Sequence, residues 1–298
     1  MQELPPSVLE PVQHFLLRLL QEEDGREQGV ELLELGEFFP GETRRVSAGQ
    51  VRVPVRLENA TLIVEGDLLC EGDVYNAQVV ASGSIQIQGW CSHTLVVGLG
   101  DVELHSAIYS QIFARAQLRI RREVRFSSLQ AARVEASEAV FFGGQVVAAE
   151  SIRVRQLRWA FGEHASALSI GMPYLQRLEH QYWRAELRRL RDRMQAVQQE
   201  LEAILQQRHR HVSEHIRHLQ QEYHELYARL QEVEQRSYGS GHHRASIEVW
   251  ENVPADTIVA IHGIVYRVPT ELLAVRFRSD GMRIVLESLS DEASPQGE

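Results

Sequence analysis

The sequence predicts a mainly β protein with an α-helical insertion: a parallel β-solenoid (β-helix), an antiparallel coiled-coil hairpin and a small C-terminal β segment. Three observations predict it. A short Gly-containing pattern recurs every 17 residues in the first half of the chain. Apolar residues fall into columns when those repeats are stacked. Beyond residue 173 the periodicity changes to alternating steps of three and four, the heptad signature of a coiled coil.

The elements follow in order, with expected boundaries at 1–48 for an N-terminal helix or cap, 49–172 for the solenoid, 173–237 for the hairpin, 243–288 for the C-terminal β segment and 289–298 for an acidic tail. In the first of these, Val8, Leu9, Val12, Phe15, Leu16, Leu19 and Leu20 fall at helical spacing, with Ser7 as N-cap and Gly25 as stop. Glu22, Glu23 and Asp24 follow. A membrane-surface helix wants basic residues on its polar face, so this is read as a packing helix.

The solenoid reading rests on Gly66-Asp67-Leu68, Gly83-Ser84-Ile85 and Gly100-Asp101-Val102, continued by Ala116-Gln117-Leu118, Ala132-Arg133-Val134 and Glu150-Ser151-Ile152. Stacked, these give four apolar columns. The first is Leu68, Ile85, Val102, Leu118, Val134, Ile152; the second is Cys70, Ile87, Leu104, Ile120, Ala136, Val154. The third is Val74, Cys91, Ile108, Val124, Val140, Leu157; the fourth is Leu62, Val79, Val96, Ile112, Leu129, Val146. One coil of this size cannot close a core, but stacked coils share one. At ~4.8 Å per strand, six coils make a rod about 29 Å long. The glycines are expected at corners, where the lack of a Cβ permits a sharp bend. An end left uncovered would present strand edges, so the N-terminal helix or the C-terminal segment should cover at least one end.

In the helical region Leu187, Leu190, Met194, Val197, Leu201 and Ile204 form one seam; Val212, Ile216, Leu219, Tyr223, Leu226, Leu230 and Val233 form the second. The phase breaks over Arg208–His211, which suggests a hairpin turning there, each arm roughly 40 Å long; with no Gly or Pro at the tip, one continuous helix of about 60 residues is the alternative. Strand-like runs return at Ser246–Val249, Thr257–Ile261, Ile264–Val268, Ala274–Phe277 and Met282–Leu286.

Composition narrows the function. The net charge is -10 and every one of the 31 basic residues is Arg, an acidic balance that argues against nucleic acid. The two cysteines, Cys70 and Cys91, fall in interior columns and suggest neither a disulfide framework nor a zinc site. There is no signal peptide pattern and no apolar stretch long enough to span a bilayer, so a cytoplasmic protein is expected. Without Lys no phosphate-binding Gly-x4-Gly-Lys loop exists, and no Gly-x-Ser-x-Gly elbow occurs. No catalytic, metal or cofactor site is assigned.

His209, His211, His215 and His218 gather at the expected hairpin tip and read as solvated polar residues rather than metal ligands. His93, His105 and His164 lie near solenoid corners; they keep open a distant alternative, a β-helix acyltransferase, although the period is not hexapeptide. The interaction candidates are arginines. Arg184, Arg188 and Arg191, with Arg189 and Arg193, could dock an acidic partner from the first helical arm; Arg119 and Arg121, outward on either side of Ile120, could form a binding ridge on the solenoid.

The ordered combination of Gly-Asp-hydrophobic turns, Gly143-Gly144-Gln145-Val146-Val147-Ala148, Phe161-Gly162, Leu168-Ser169-Ile170-Gly171 and a following coiled coil resembles the flagellar assembly protein A family over about residues 50–287. Members usually carry a longer domain ahead of the solenoid than the 45 or so residues here. The resemblance implies a bacterial, non-enzymatic protein connected with flagellar assembly or cell-surface organisation. The function expected is a structural scaffold that self-associates or binds protein partners through solenoid and coiled coil. The alternative is a monovalent adaptor that uses the helical arm alone.

Overall fold

The computed structural model describes residues 4–21, 32–158, 166–206, 213–237 and 245–289. His164, His209, His211, the hairpin turn, Phe161-Gly162 and almost all of the acidic tail lie outside the described residues. The chain divides into two units, 1–176 with 242–298, and 177–241.

The first unit is a parallel β-solenoid. Its early strands are β1 (Leu32–Glu34), β2 (Thr43–Val53), β3 (Leu57–Glu58), β4 (Thr61–Cys70), β5 (Val74–Tyr75) and β6 (Gln78–Ala81). They continue as β7 (Ile85–Ser92), β8 (Leu95–Gly98), β9 (Val102–Ile108), β10 (Gln111–Ala114), β11 (Gln117–Arg158) and β12 (Ala167–Ile170). Pairing is parallel throughout these strands, and it follows the columns. Leu68 pairs with Ile85, Ile85 with Val102 and Val102 with Leu118. Leu62 pairs with Val79, Val79 with Val96, Val96 with Ile112 and Ile112 with Leu129. Columns one, two and four are buried along their whole length, because an inward side chain has only the coil above and the coil below as neighbours.

The third column differs at two places. Cys91 and Val124 both pair with Ala107, not Ile108. Between the second and third columns β7 runs Ile87 to Trp90 and β11 runs Ile120 to Glu123, whereas β9 spans the same corner from Leu104 to Ser106. With one residue fewer in that corner, every later side chain in β9 flips face. Ala107 turns in and Ile108 is half-buried; likewise Ala139 is buried and Val140 half-buried.

Gly83 and Gly100 fall, as expected, at bends between β6 and β7 and between β8 and β9. Of the three glycines, only Gly66 has a positive φ, at 141°. A Cβ on Gly83 would sit 2.1 Å from the Asp67 carboxylate and 2.9 Å from the Gly66 carbonyl oxygen, so close approach of the adjacent coil excludes it. The Asp67 carboxylate accepts a 2.7 Å hydrogen bond from the Ser84 backbone N–H, and that of Asp101 a 2.9 Å bond from Gln117 N–H, each tying one coil to the next.

A second corner of each coil is left-handed. Asn59, Asn76, His93, Tyr109 and Phe126 occupy equivalent places in successive coils, with φ of 53°, 46°, 54°, 47° and 49°, and Gly143 follows at 71°. A non-glycine residue pays about 1–2 kcal/mol for this left-handed conformation. Stacking offsets it. Asn76 Nδ2 donates to Asn59 Oδ1 at 2.6 Å. The rings of His93 and Tyr109 lie 5.2 Å apart, and those of Tyr109 and Phe126 5.1 Å apart. Next to this corner Thr94, Ser110 and Ser127 form a buried hydroxyl ladder, in which Ser110 Oγ accepts from the Thr94 N–H at 3.2 Å and Ser127 Oγ from the Ser110 N–H at 3.1 Å.

One outer face is apolar as well. Ile63, Val80, Val97 and Phe113 point outward from β4, β6, β8 and β10, yet all are buried. The helix α1 (Pro6–Gln21) packs on β6, held by Ser7 to Gln78 at 3.3 Å and by an Arg18–Glu65 ion pair. Its inward stripe is Val8, Pro11, Val12, Phe15, Leu16 and Leu20. Further along the face, the Tyr174 ring lies 5.9 Å from that of Phe113, and Gln130 Oε1 caps the Tyr174 N–H at 2.8 Å. That bond starts α2 (Tyr174–Gln206).

After α2 and α3 (Ser213–Ser237), the C-terminal strands rejoin the solenoid. β13 (Ser246–Val253) lies parallel to β11 with Ile152 opposite Ile247, and β14 (Ile258–Ile261) lies parallel to β12 with Leu168 opposite Val259. Columns one and four thus resume after the insertion. The chain then reverses: β15 (Ile264–Arg267) is antiparallel to β14, β16 (Leu272–Ser279) to β13, and β17 (Ile284–Ser288) to β16. Ile264, Tyr266 and Leu272 pack on the end of the core, supplying the expected cover at the C-terminal end.

The second unit is the helical hairpin. A Glu200–His215 contact at 3.0 Å and the ion pairs Arg193–Glu222 and Arg191–Glu234, at 2.7 and 2.8 Å, join α2 to α3 in antiparallel order. Leu190, Val197, Leu219 and Val233 are buried in the seam.

Candidate interaction surfaces

The solenoid strands alternate inward apolar and outward charged residues, and the outward residues of adjacent coils lie ~4.8 Å apart. Opposite charges in neighbouring coils therefore meet. On the outer face of the first column Arg121 pairs with Glu103, Arg153 with Glu135 at 3.5 Å and with Glu248 at 3.2 Å, and Arg276 with Glu248 at 2.8 Å. Arg155 and Glu251 add a pair at 2.6 Å. Glu248 is buried, but the exposed pairs of this set contribute about 0–1 kcal/mol each. Their consistent register helps to select one stacking of the coils.

This ladder explains one of the two solenoid arginines singled out from the sequence. Arg121 is engaged by Glu103. Arg119 is exposed, stands opposite Glu103 in the strand register, and makes no ion pair among the described residues. It lines a shallow hollow with Glu135, Ser137 and Glu138.

On α2 the three candidates also separate. Arg191 binds Glu234 and so holds the hairpin together. Arg184 and Arg188 are exposed and make no ion pair among the described residues. Arg189 reaches Glu186 on its own helix at 3.9 Å.

Among the described residues, two of these histidines have partners. His93 is stacked in the corner ladder, with Nδ1 3.0 Å from Ser92 Oγ. His215 Nε2 lies 3.0 Å from Glu200. His105 is half-buried beside Gln88, Glu103 and Arg121. Among the described residues no group of three or more His, Cys, Asp and Glu side chains could hold a metal ion.

Burial sets the titration of both cysteines: it pushes the Cys70 thiol up to about 12 and the Cys91 thiol higher still. These are inert core residues, not nucleophiles. Two exposed carboxyls move the other way. Glu42 is lowered by its bond from Arg44 and by the Phe39 N–H, and Asp280 by the N–H groups of Met282 and Arg283 in its turn.

Sequence reasoning missed an aromatic and arginine ridge beside the corner ladder. Tyr75 lies 5.8 Å from His93, Arg56 sits over Tyr75, Arg122 over Trp90, and Arg125 over Phe142. The signal was present as Asn, Asn, His, Tyr, Phe and Gly at the repeat spacing, on a column that the search for apolar residues skipped.

A coiled, parallel sheet with a shared apolar interior, an inserted helical hairpin and a reversed final layer defines a β-solenoid protein. The family model described as Flagellar Assembly Protein A beta solenoid domain matches residues 57–284, and the chain belongs to that family. Comparison with curated proteins and with solved structures finds no match. Among the described residues no helix is long and apolar enough to cross a membrane.

Proposed function

We propose that this chain is a non-catalytic assembly scaffold, bacterial and cytoplasmic, that presents protein-binding surfaces on its solenoid and its helical hairpin. The observation that carries the reading is a contrast between apolar and charged groups. The inward apolar columns and the centre of the hairpin seam are filled by the chain's own side chains, whereas Arg119, Arg184 and Arg188 are exposed and without an ion pair among the described residues. Desolvating such cations against a partner's carboxylates gives register and selectivity more than raw affinity.

The adaptor reading has one observation of its own. With Leu190, Val197, Leu219 and Val233 already buried, the hairpin offers little apolar seam to a second hairpin. Light scattering coupled to size-exclusion chromatography over a wide concentration range separates the two. A defined dimer or larger species supports the scaffold. A monomer at every concentration sinks self-association and leaves a one-to-one adaptor, for which Arg184→Glu with Arg188→Glu should weaken partner capture by roughly tenfold or more.

A further inference from the structure

The reversed cap closes the core at the C-terminal end but finishes in a strand edge of its own. β15 pairs with β14 and β17 with β16; among the described residues no strand lies along the other edge of β17. The ladder shows which groups face that edge. The Leu289 N–H donates to the Ala274 carbonyl and the Asp280 N–H to that of Arg283, so Arg283, Val285 and Glu287 turn their peptide groups toward β16. Ile284 and Leu286 turn theirs the other way. The run Ile284-Val285-Leu286 carries no Pro, no charge and no bulge, the devices that blunt an edge. On its inward face Leu286 stands opposite the buried Phe277 yet is 38% exposed, with no described strand beyond it.

The outward face of the same layers carries charges of alternating sign. Arg153 meets Glu135 and Glu248, and Arg276 meets Glu248 and Glu287, so the row ends at the last strand on a carboxylate. A further layer in the same pattern would place a cation beside Glu287. β17 supplies one itself: Arg283 starts the strand, lies on the same face as Glu287 by alternation, and is 81% exposed beside Asp280. Turning the strand about a twofold axis at Val285 lays Arg283 of each copy against Glu287 of the other. The same operation sets Ile284 against Leu286, twice, on the inward face.

We propose that the occupant of this edge is a second copy of the chain: β17 pairs antiparallel with β17 of the other molecule about Val285, joining two solenoids end to end in one continuous sheet. Ile284 and Leu286 exchange main-chain hydrogen bonds across the axis, using the groups that point away from β16. The inward row Phe277–Leu286 continues into Ile284 of the second copy, and the outward row Glu248–Arg276–Glu287 continues into its Arg283. Moving the axis one residue to Leu286 sets Val285 against Glu287 and Ile284 against Ser288, and both matches are lost. The inference rests on the self-associating form of the scaffold reading and adds its surface and register.

The test uses the full chain. Across the axis the two Val285 residues form a non-hydrogen-bonded pair with Cα atoms about 4.5 Å apart, within reach of a disulfide. With Cys70 and Cys91 buried, Val285→Cys treated with oxidised glutathione should give a disulfide-linked dimer. Leu273→Cys, at a 72% exposed position beyond the end of β17, should not. By light scattering, Arg283→Glu and Glu287→Arg should each weaken the dimer roughly tenfold or more, since like charges then meet at both contacts. Mixed one to one, the two variants should dimerise again, because every contact across the axis then joins opposite signs. No linked dimer from Val285→Cys at up to about 1 mM chain, or no recovery in the mixture, overturns the proposal. If the unaltered chain still dimerises in that case, the edge is wrong and the scaffold reading stands; an unaltered chain that is monomeric throughout removes both.

Discussion

The solenoid and the hairpin are built from opposite kinds of contact. In the solenoid each inner strand is bonded to a strand one coil before and one coil after, so nearly all of its stabilising contacts are non-local. In the hairpin the backbone bonds are local, and the two arms are joined by a narrow seam and by ion pairs such as Arg191–Glu234. The difference teaches where a single change should be felt. A vacancy in a solenoid column is shared with both neighbouring coils, whereas a vacancy in the seam is confined to the second unit.

The largest expected effect is in the solenoid. Leu104 is fully buried in mid-column, between Ile87 and Ile120, and Leu104→Ala should cost about 3 kcal/mol, read as a lower urea midpoint of the strand signal. Leu190→Ala, at a buried seam position, should cost about 2 kcal/mol and act on the helical signal at 222 nm while leaving the strand transition in place. If Leu190→Ala shifts the strand transition as far as Leu104→Ala does, the two units are not energetically separate.

The smallest effect sharpens the contrast through pH, since the solenoid holds both cysteines and the hairpin none. Burial raises the Cys70 thiol from 9.0 to about 12, so the unfolded chain ionises first as pH rises. The stability held by the neutral thiol is complete below pH 9.0 and declines between there and about 12. Between pH 9 and 10 each buried thiol should contribute a loss of about 1 kcal/mol, carried by the strand transition, and Cys70→Ala should remove about half of the total. A thiol reagent that modifies Cys70 in the folded protein at pH 8 as fast as in urea would contradict the burial argument.

How much of this was legible in the sequence follows from the same physics. Columns one, two and four could be read because an inward position has no polar alternative. The shift from Ile108 to Ala107 could not, because a one-residue change in a corner is invisible to apolar counting when both neighbours are apolar. The corner ladder of Asn59, Asn76, His93, Tyr109 and Phe126 was hidden by its mixed chemistry; what unites it is φ, not hydropathy. The return of the chain to the solenoid at Ile247 was hidden by the hairpin, which interrupts the period between two residues that lie in adjacent coils. Arg121 and Arg191 were visible as charges, but their partners Glu103 and Glu234 come from another coil and another helix.

The central claim is that the chain is one solenoid with a hairpin inserted into it, its columns continuing from Ile152 to Ile247 and from Leu168 to Val259. The most direct test replaces residues 177–241 with a short Gly/Ser linker and follows the strand signal through urea unfolding. The account predicts a single cooperative transition with a free energy within about 1 kcal/mol of the intact chain's strand transition. A shortened chain that has lost cooperative unfolding would contradict it, since the final coil and its reversed cap would then depend on the hairpin.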